Sequence, residues 1–383
     1  MNESEAMAVL VDARGVSYGR REAALAQAGS ARAVLEDPAA YGAQLGQEGV
    51  DAVRRSMEGA QALFDRLRKD GVHLIVRGSE RYPELLAQIV HPPHLLYVKG
   101  SANLCDRFPM AVVGTRRASG YGLRQTRAIA RELAGEGMCI VSGLALGIDA
   151  AAHEGALDAQ GRTIAVLGSS LDKMYPSANR HLMARIIDMG GSVVSEYPPG
   201  TEPTRYSFLD RNRIIAGLSL GVLVTDAPAR SGALSTAQRA LNEGREVFAV
   251  PGDIDRVTSQ LPNRLIAEGA YAVTCADDIL RKIVIEPAGM QGSGGRKKKA
   301  AAARTGKSGA QTQTGGAQTD RQMEQTLSPQ ERAVYDALTA GETDFDSLCE
   351  KTGMDATELG SLLLMMELDG LLEALPGCMY RLA

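Results

Sequence analysis

Short apolar runs recur along the middle of the chain at 110–113, 138–141, 163–167, 192–195, 220–225 and 246–250, separated by helical stretches of about 15 to 25 residues. The runs are mostly apolar and do not alternate, and strands of that kind, interleaved with helices, predict a parallel sheet covered on both faces. Ahead of them, 72–78, 82–89 and 94–100 read as strand, helix and strand. Residues 1–70 show helical spacing with small-residue breaks and no strand, so a small helical domain is expected. It suits a helix-hairpin-helix or SAM-like module, or a plain stabilising bundle. Residues 287–327 lack apolar periodicity and are rich in Ala, Gly, Thr, Gln and Lys, which predicts a flexible linker. Residues 328–383 have the three-helix and wing layout of a winged helix. The expected organisation is a helical domain (1–70), a doubly wound α/β domain (71–286), a basic linker (287–327) and a winged helix (328–383).

Composition narrows the class. The 383 residues are 44% hydrophobic, enough for a sizeable core, and no apolar run approaches the roughly 20 residues that cross a bilayer. Asn2, Glu3, Ser4 and Glu5 do not resemble a basic signal region, so a cytoplasmic location without membrane contact is expected. The five cysteines are scattered and form no CxxC pair, against both a disulfide framework and a thiolate metal site. Net charge is -4, but its distribution is uneven: residues 287–327 hold 7 basic against 2 acidic side chains, and 328–383 hold 3 against 11. The expected recognition helix of the winged helix, 356–368, carries Glu358, Ser361 and Glu367 and no Lys, Arg, Asn or Gln. That domain is expected to repel DNA and to bind a protein, itself or the basic linker.

In parallel α/β sheets ligands bind beyond the carboxyl ends of the strands. There the chain offers Gly114-Thr115-Arg116-Arg117, Ser142-Gly143, Gly168-Ser169, Glu196, Asp226 followed by Ser231-Gly232, and Pro251-Gly252-Asp253. Small residues admit close approach, hydroxyls and N–H groups bond phosphate oxygens, and arginine forks match phosphate, so an anion-binding edge is expected. The Gly114 turn lies beside a helix start, whose N–H groups also attract anions. Asn179 and Arg180, with Arg211, Asn212 and Arg213, add polarity to that edge. Arg211 and Arg213 diverge by about 200° on a helix, so only one is expected at the ligand and the other in a structural role.

Other chemistries lack their signatures. GTRRASGYG misses the first glycine pair of a dinucleotide fingerprint, and no phosphate-loop GxxxxGK[ST] occurs. The five histidines have no zinc spacing, and His153 near Asp149 reads as a packed helical histidine rather than an acid–base pair. No serine or cysteine sits in a nucleophile elbow, so neither enzyme nor cofactor is expected.

The blocks YPELL, PPHLLYVKG, VVGTRRASGYG, SGLALGIDAAAHEGAL, TIAVLG, LDKMYPSANRHL, SEYPPGTEP, RNRIIAGLS, SGALSTAQRAL and GREVFAVPG run in order over about residues 82–275. In this the sequence closely resembles the DNA processing protein A family, also called Smf. The resemblance implies a Rossmann-like central domain, often flanked by an N-terminal helical and a C-terminal winged-helix domain. It implies sequence-independent binding and protection of single-stranded DNA, and loading of a RecA-type recombinase in natural transformation or recombination. The family's DNA-contacting arginine corresponds to Arg116, and a homodimer through the end of the central domain would place Leu265 and Ile266 at the interface. Tyr121, Tyr175 and Phe208 are the aromatics best placed to stack on bases.

The sequence departs from the family at Leu209, where proline is usual, at Leu261 for glycine, and at Ser177 for a basic residue. One phosphate contact is then missing or supplied by Arg180. An alternative from another class is a nucleotide-processing phosphoribohydrolase-like enzyme, whose PGGxGT loop PGDIDR fails to match at its third residue.

Overall fold

A computed structural model describes residues 1–285 except 107, and 328–382 except 340, 342, 369, 370 and 376–378. The expected linker lies outside the described residues. Two separate units result, Met1–Ala288 and Gly289–Ala383.

The first unit begins with five helices, α1 (Glu3–Asp12), α2 (Tyr18–Ala28), α3 (Ala31–Glu36), α4 (Gly42–Glu58) and α5 (Ala60–Lys69). A capping box starts α1, with Asn2 and Glu5 satisfying each other's backbone N–H groups. These helices do not close a core alone. Ala6 to Leu10, Leu45 and Val53 pack in one cluster with Val76, Leu95 and Tyr97, which lie on β1 (Val72–Val76) and β2 (Leu95–Gly100). Between those strands α6 is one turn, Glu84–Ala87.

The remaining strands are β3 (Pro109–Val113), β4 (Cys139–Ser142), β5 (Thr163–Val166), β6 (Ser192–Ser195), β7 (Gly221–Val224), β8 (Glu246–Ala249) and β9 (Tyr271–Ala272). Every apolar run expected as a strand is one, within two residues, while the two-residue β9 has no such run to announce it. The helices are α7 (Gly120–Gly135), α8 (Ile148–Asp158), α9 (Arg180–Asp188), α10 (Arg205–Gly217), α11 (Gly232–Asn242), α12 (Gln260–Ala267) and α13 (Ala276–Leu280). The sheet order is β1-β2-β6-β5-β4-β3-β7-β8-β9, parallel from β6 to β9, with β1 and β2 added antiparallel. Residues on the two faces of the strands enter separate clusters, Ala111 and Val113 in one and Met110 and Val112 in the other. Burial on both faces is the physical reason the runs carry no alternation.

Successive strands run one way from β3 to β6 and the other way from β7 to β9, so the order reverses between β3 and β7. In open α/β sheets the crevice at such a reversal is the usual ligand position.

The second unit has α14 (Pro329–Leu338), β10 (Thr343–Asp344), α15 (Phe345–Thr352), α16 (Ala356–Leu368), β11 (Leu372–Leu375) and β12 (Met379–Leu382). Its strands order as β10-β12-β11. Leu359, Leu362, Leu363 and Met366 of α16 pack with Val334, Leu338 and Leu348. This is the winged-helix layout, with the expected recognition helix in register.

Candidate nucleic-acid interface

The crevice between β3 and β7 is closed by the protein itself. Asp226, 1% exposed, accepts the Ser119 N–H at 2.7 Å through its carboxylate and the Thr115 N–H at 2.7 Å through its backbone oxygen. Ser119 caps α7 by accepting the Gly122 N–H, and a Cβ at Gly122 would lie 2.5 Å from the Asp226 carboxyl. An internal carboxylate therefore stands at the helix start where a dinucleotide fold holds its pyrophosphate. The expectation of free N–H donors at this helix start is corrected for residues 119 and 122: both donate within the protein. The anion-receptive groups of the loop are the side chains of Arg116 and Arg117, both exposed, with Thr115 Oγ1 fixing the turn by accepting the Arg117 N–H at 3.2 Å. Gly114 sits under the turn, where a Cβ would approach Ile148 and the Asp226 backbone.

A buried polar layer lies beneath the loop after β4. Arg211 is 5% exposed, its Nη1 donates to the Val166 carbonyl, and its guanidinium lies so close to Gly143 that a Cβ there would overlap it. Asp149, also buried, accepts the Gly143 N–H at 3.2 Å and the Ala145 N–H at 3.4 Å. Burial lowers the Arg211 pKa to about 10 against the pull of Asp149, and burial raises the Asp149 carboxyl above its ordinary range. Asn179 clamps the same loop from α9's entry, donating to the Leu144 and Ala145 carbonyls at 2.8 and 3.1 Å. His153 is fully buried beneath, with Nδ1 2.7 Å from Thr163 Oγ1 and a pKa lowered to about 3 by burial, so it is the packed histidine the sequence suggests.

Several edge residues act inward. Arg213 pairs with Glu196 and with Asp210 at 3.2 Å and donates to the His91 carbonyl, so it is structural; with Arg211 also buried and bonded to the Val166 carbonyl, the expectation that one of the two faces the ligand is corrected. Burial raises the Glu196 pKa even beside Arg213. Asn212 donates to the Gly232 carbonyl at 3.3 Å, tying α10 to the start of α11, and Ser231 caps α11 by accepting the Ala233 N–H. The buried Ser142 hydroxyl donates to the Val112 carbonyl at 2.6 Å, so it serves the sheet rather than a ligand. Ser169 is buried, and its carbonyl accepts from Ser195.

The outward-facing part is narrower than the sequence list. Arg116 lies over the Phe208 ring, 5.0 Å from its centroid, and Phe208 packs against the half-exposed Tyr175 at 5.8 Å between centroids. Gly168 makes room for this stack, since a Cβ there would meet Phe208 at 2.7 Å. Arg180 is exposed at the start of α9. A cation beside an exposed aromatic face offers the two contacts a nucleotide needs, one for phosphate and one for a base. Tyr121 is engaged elsewhere: its hydroxyl donates to the Pro251 carbonyl and Arg256 covers its ring. Leu265 is 3% exposed inside the chain's own core, which corrects its expected place on an outer face, and Ile266 is partly buried against that core. The anchors Asp226 and Glu196 were visible only as strand-end acids; the signal for their role is that each faces a turn or arginine at the same sheet edge.

These features define a Rossmann-like α/β protein with a closed switch crevice and an exposed arginine–aromatic edge. Residues 73–284 match the family described as DNA recombination-mediator protein A, and residues 318–378 match the DprA winged helix domain. The chain belongs to the DNA recombination-mediator protein A family. It is similar to Protein Smf of Escherichia coli strain K12, 45% identical over 217 residues, which is 57% of this chain and 58% of that relative. Its fold is similar to DNA processing protein A from Streptococcus pneumoniae, with a TM-score of 0.62 and 36% identity over 74% of this chain and 98% of that one. It is also similar to DNA processing protein A from Helicobacter pylori, a structure described for its single-stranded DNA binding mode, with a TM-score of 0.51 and 31% identity over 56% and 96% of the two chains.

Proposed function

We propose that the protein binds single-stranded DNA without sequence preference and acts as a recombination mediator. One observation carries the reading: the exposed Arg116 guanidinium is stacked on Phe208 with Tyr175 beside it. Phosphate attraction and base stacking are both indifferent to sequence, because every nucleotide has a phosphate and a π-face. Family membership supports the same reading, as does the H. pylori relative's single-stranded DNA binding. With no Trp and 4% aromatic residues in the chain, stacking contributes less than phosphate contacts, so affinity falls steeply with salt.

The wider reading follows the family: a noncatalytic cytoplasmic protein that shields incoming strands, loads a RecA-type recombinase and works as a homodimer. Among the described residues no helix is long and apolar enough to cross a membrane, which is compatible with that setting. The test is fluorescence anisotropy of labelled strands of unrelated sequence across a salt series. Comparable affinities falling together with salt support the reading; a strong preference for one sequence, or salt-independent binding, overturns it.

A further inference from the structure

Beside Arg116 a second surface opens that the arginine–aromatic edge does not use. Helices α7 and α8 press together at mid-length, where Gly155 meets the Arg127 backbone, and between them lies a groove of about 560 Å³. That volume falls in the range of small-ligand sites. The groove includes Arg116 and is lined further by Arg117, Leu123 and Arg124, with the small residues Gly147 and Ala151 leaving it open. Arg117 and Arg124 are exposed, and among the described residues neither meets a carboxylate. Leu123 is 39% exposed and presents apolar surface between these cations. At the far end the charge changes: Arg127 is held by Asp158 at 2.5 Å and by Glu154 at 3.2 Å.

A surface with unpaired guanidiniums, an apolar contact and an acidic end suits one more nucleotide and no longer track. We propose that this groove takes the nucleotide adjoining the one at Arg116, its phosphate between Arg117 and Arg124 and its base against Leu123. The strand then leaves the protein before Arg127, where Glu154 and Asp158 repel it. This inference rests on the single-stranded DNA reading of the Arg116 edge.

The test uses the full chain, with labelled oligothymidylates titrated by anisotropy at several salt concentrations. One oligomer is the shortest that binds measurably and the other is several nucleotides longer. Arg124→Ala is expected to leave the shortest oligomer unchanged and to weaken the longer one about tenfold, the scale of one charge-assisted contact. The salt slope for the longer oligomer should fall by about 0.7, the value for one single-strand phosphate. Leu123→Glu, a half-exposed position, should produce the same selective loss, and matching circular dichroism melts show that the fold survives. Wild-type affinity of Arg124→Ala at both lengths, or equal weakening at both, overturns the groove while leaving the Arg116 edge standing. A wild-type chain that binds no oligothymidylate of any length, or an Arg116→Ala variant that binds both oligomers normally, overturns the edge and the groove with it.

Discussion

Replacing Arg213 with Met separates structure from recognition within the RNR segment. The Arg213 side chain is 8% exposed and pairs with Glu196, whose side chain is 16% exposed, and with Asp210. The substitution keeps the apolar stem but leaves the Glu196 carboxylate buried without its cation. Breaking such a pair costs roughly 3–5 kcal/mol, because the remaining charge is uncompensated. At about 2–4 °C per kcal/mol for a domain of this size, the melting temperature should fall by roughly 6–20 °C. Far-UV circular dichroism under heat and urea measures this, and a chain without Trp favours that probe over fluorescence. Adding Glu196→Gln should recover part of the loss, since the orphaned charge is then gone. DNA affinity of the folded variant should match the wild type. A loss below about 1 kcal/mol, or lost DNA binding with stability intact, would refute the structural assignment of Arg213.

Gly122→Ala should destabilise the unit by roughly 1–3 kcal/mol in the same urea assay, because its Cβ would lie 2.5 Å from the Asp226 carboxyl. His153 sets a pH dependence: its folded pKa is about 3 against an ordinary value of 6.5, so the unfolded chain takes up the proton first as pH falls. Its contribution is complete above pH 6.5 and declines toward pH 3, by about 2 kcal/mol at pH 5 from 1.36 kcal/mol per unit over about 1.5 units. Urea midpoints of His153→Gln should therefore fall less steeply between pH 7 and pH 5 than those of the wild type; parallel curves would count against it. A chain ending at Leu327 should keep the single-strand affinity of the full chain, because the removed residues hold 3 basic against 11 acidic side chains. A clear drop in a gel shift at moderate salt would show that the winged helix contacts DNA.

Much of the sheet was readable because burial on both faces erases alternation, leaving Val112 and Val141 in unbroken apolar runs. Gly114 to Arg117 was readable as an edge because strand ends in such folds converge. Which polar residues face a ligand was less legible. Ser142 and Ser169 have the right type and position, yet whether a hydroxyl points to solvent or to a neighbouring carbonyl depends on packing that the local sequence does not state. The divergence of Arg211 and Arg213 on one helix was legible; that Glu196 and Asp210 engage Arg213 required the fold. Closure of the switch crevice by Asp226 was equally hidden, since Ser119 and Asp226 meet across more than one hundred residues of chain.

The most direct measurement compares wild type and Arg116→Ala for binding to single- and double-stranded DNA of several unrelated sequences. The account predicts preference for single strands in the wild type and a loss of about tenfold or more, similar for every sequence, in the variant. Undiminished binding by the variant, or a loss confined to one sequence, would contradict it.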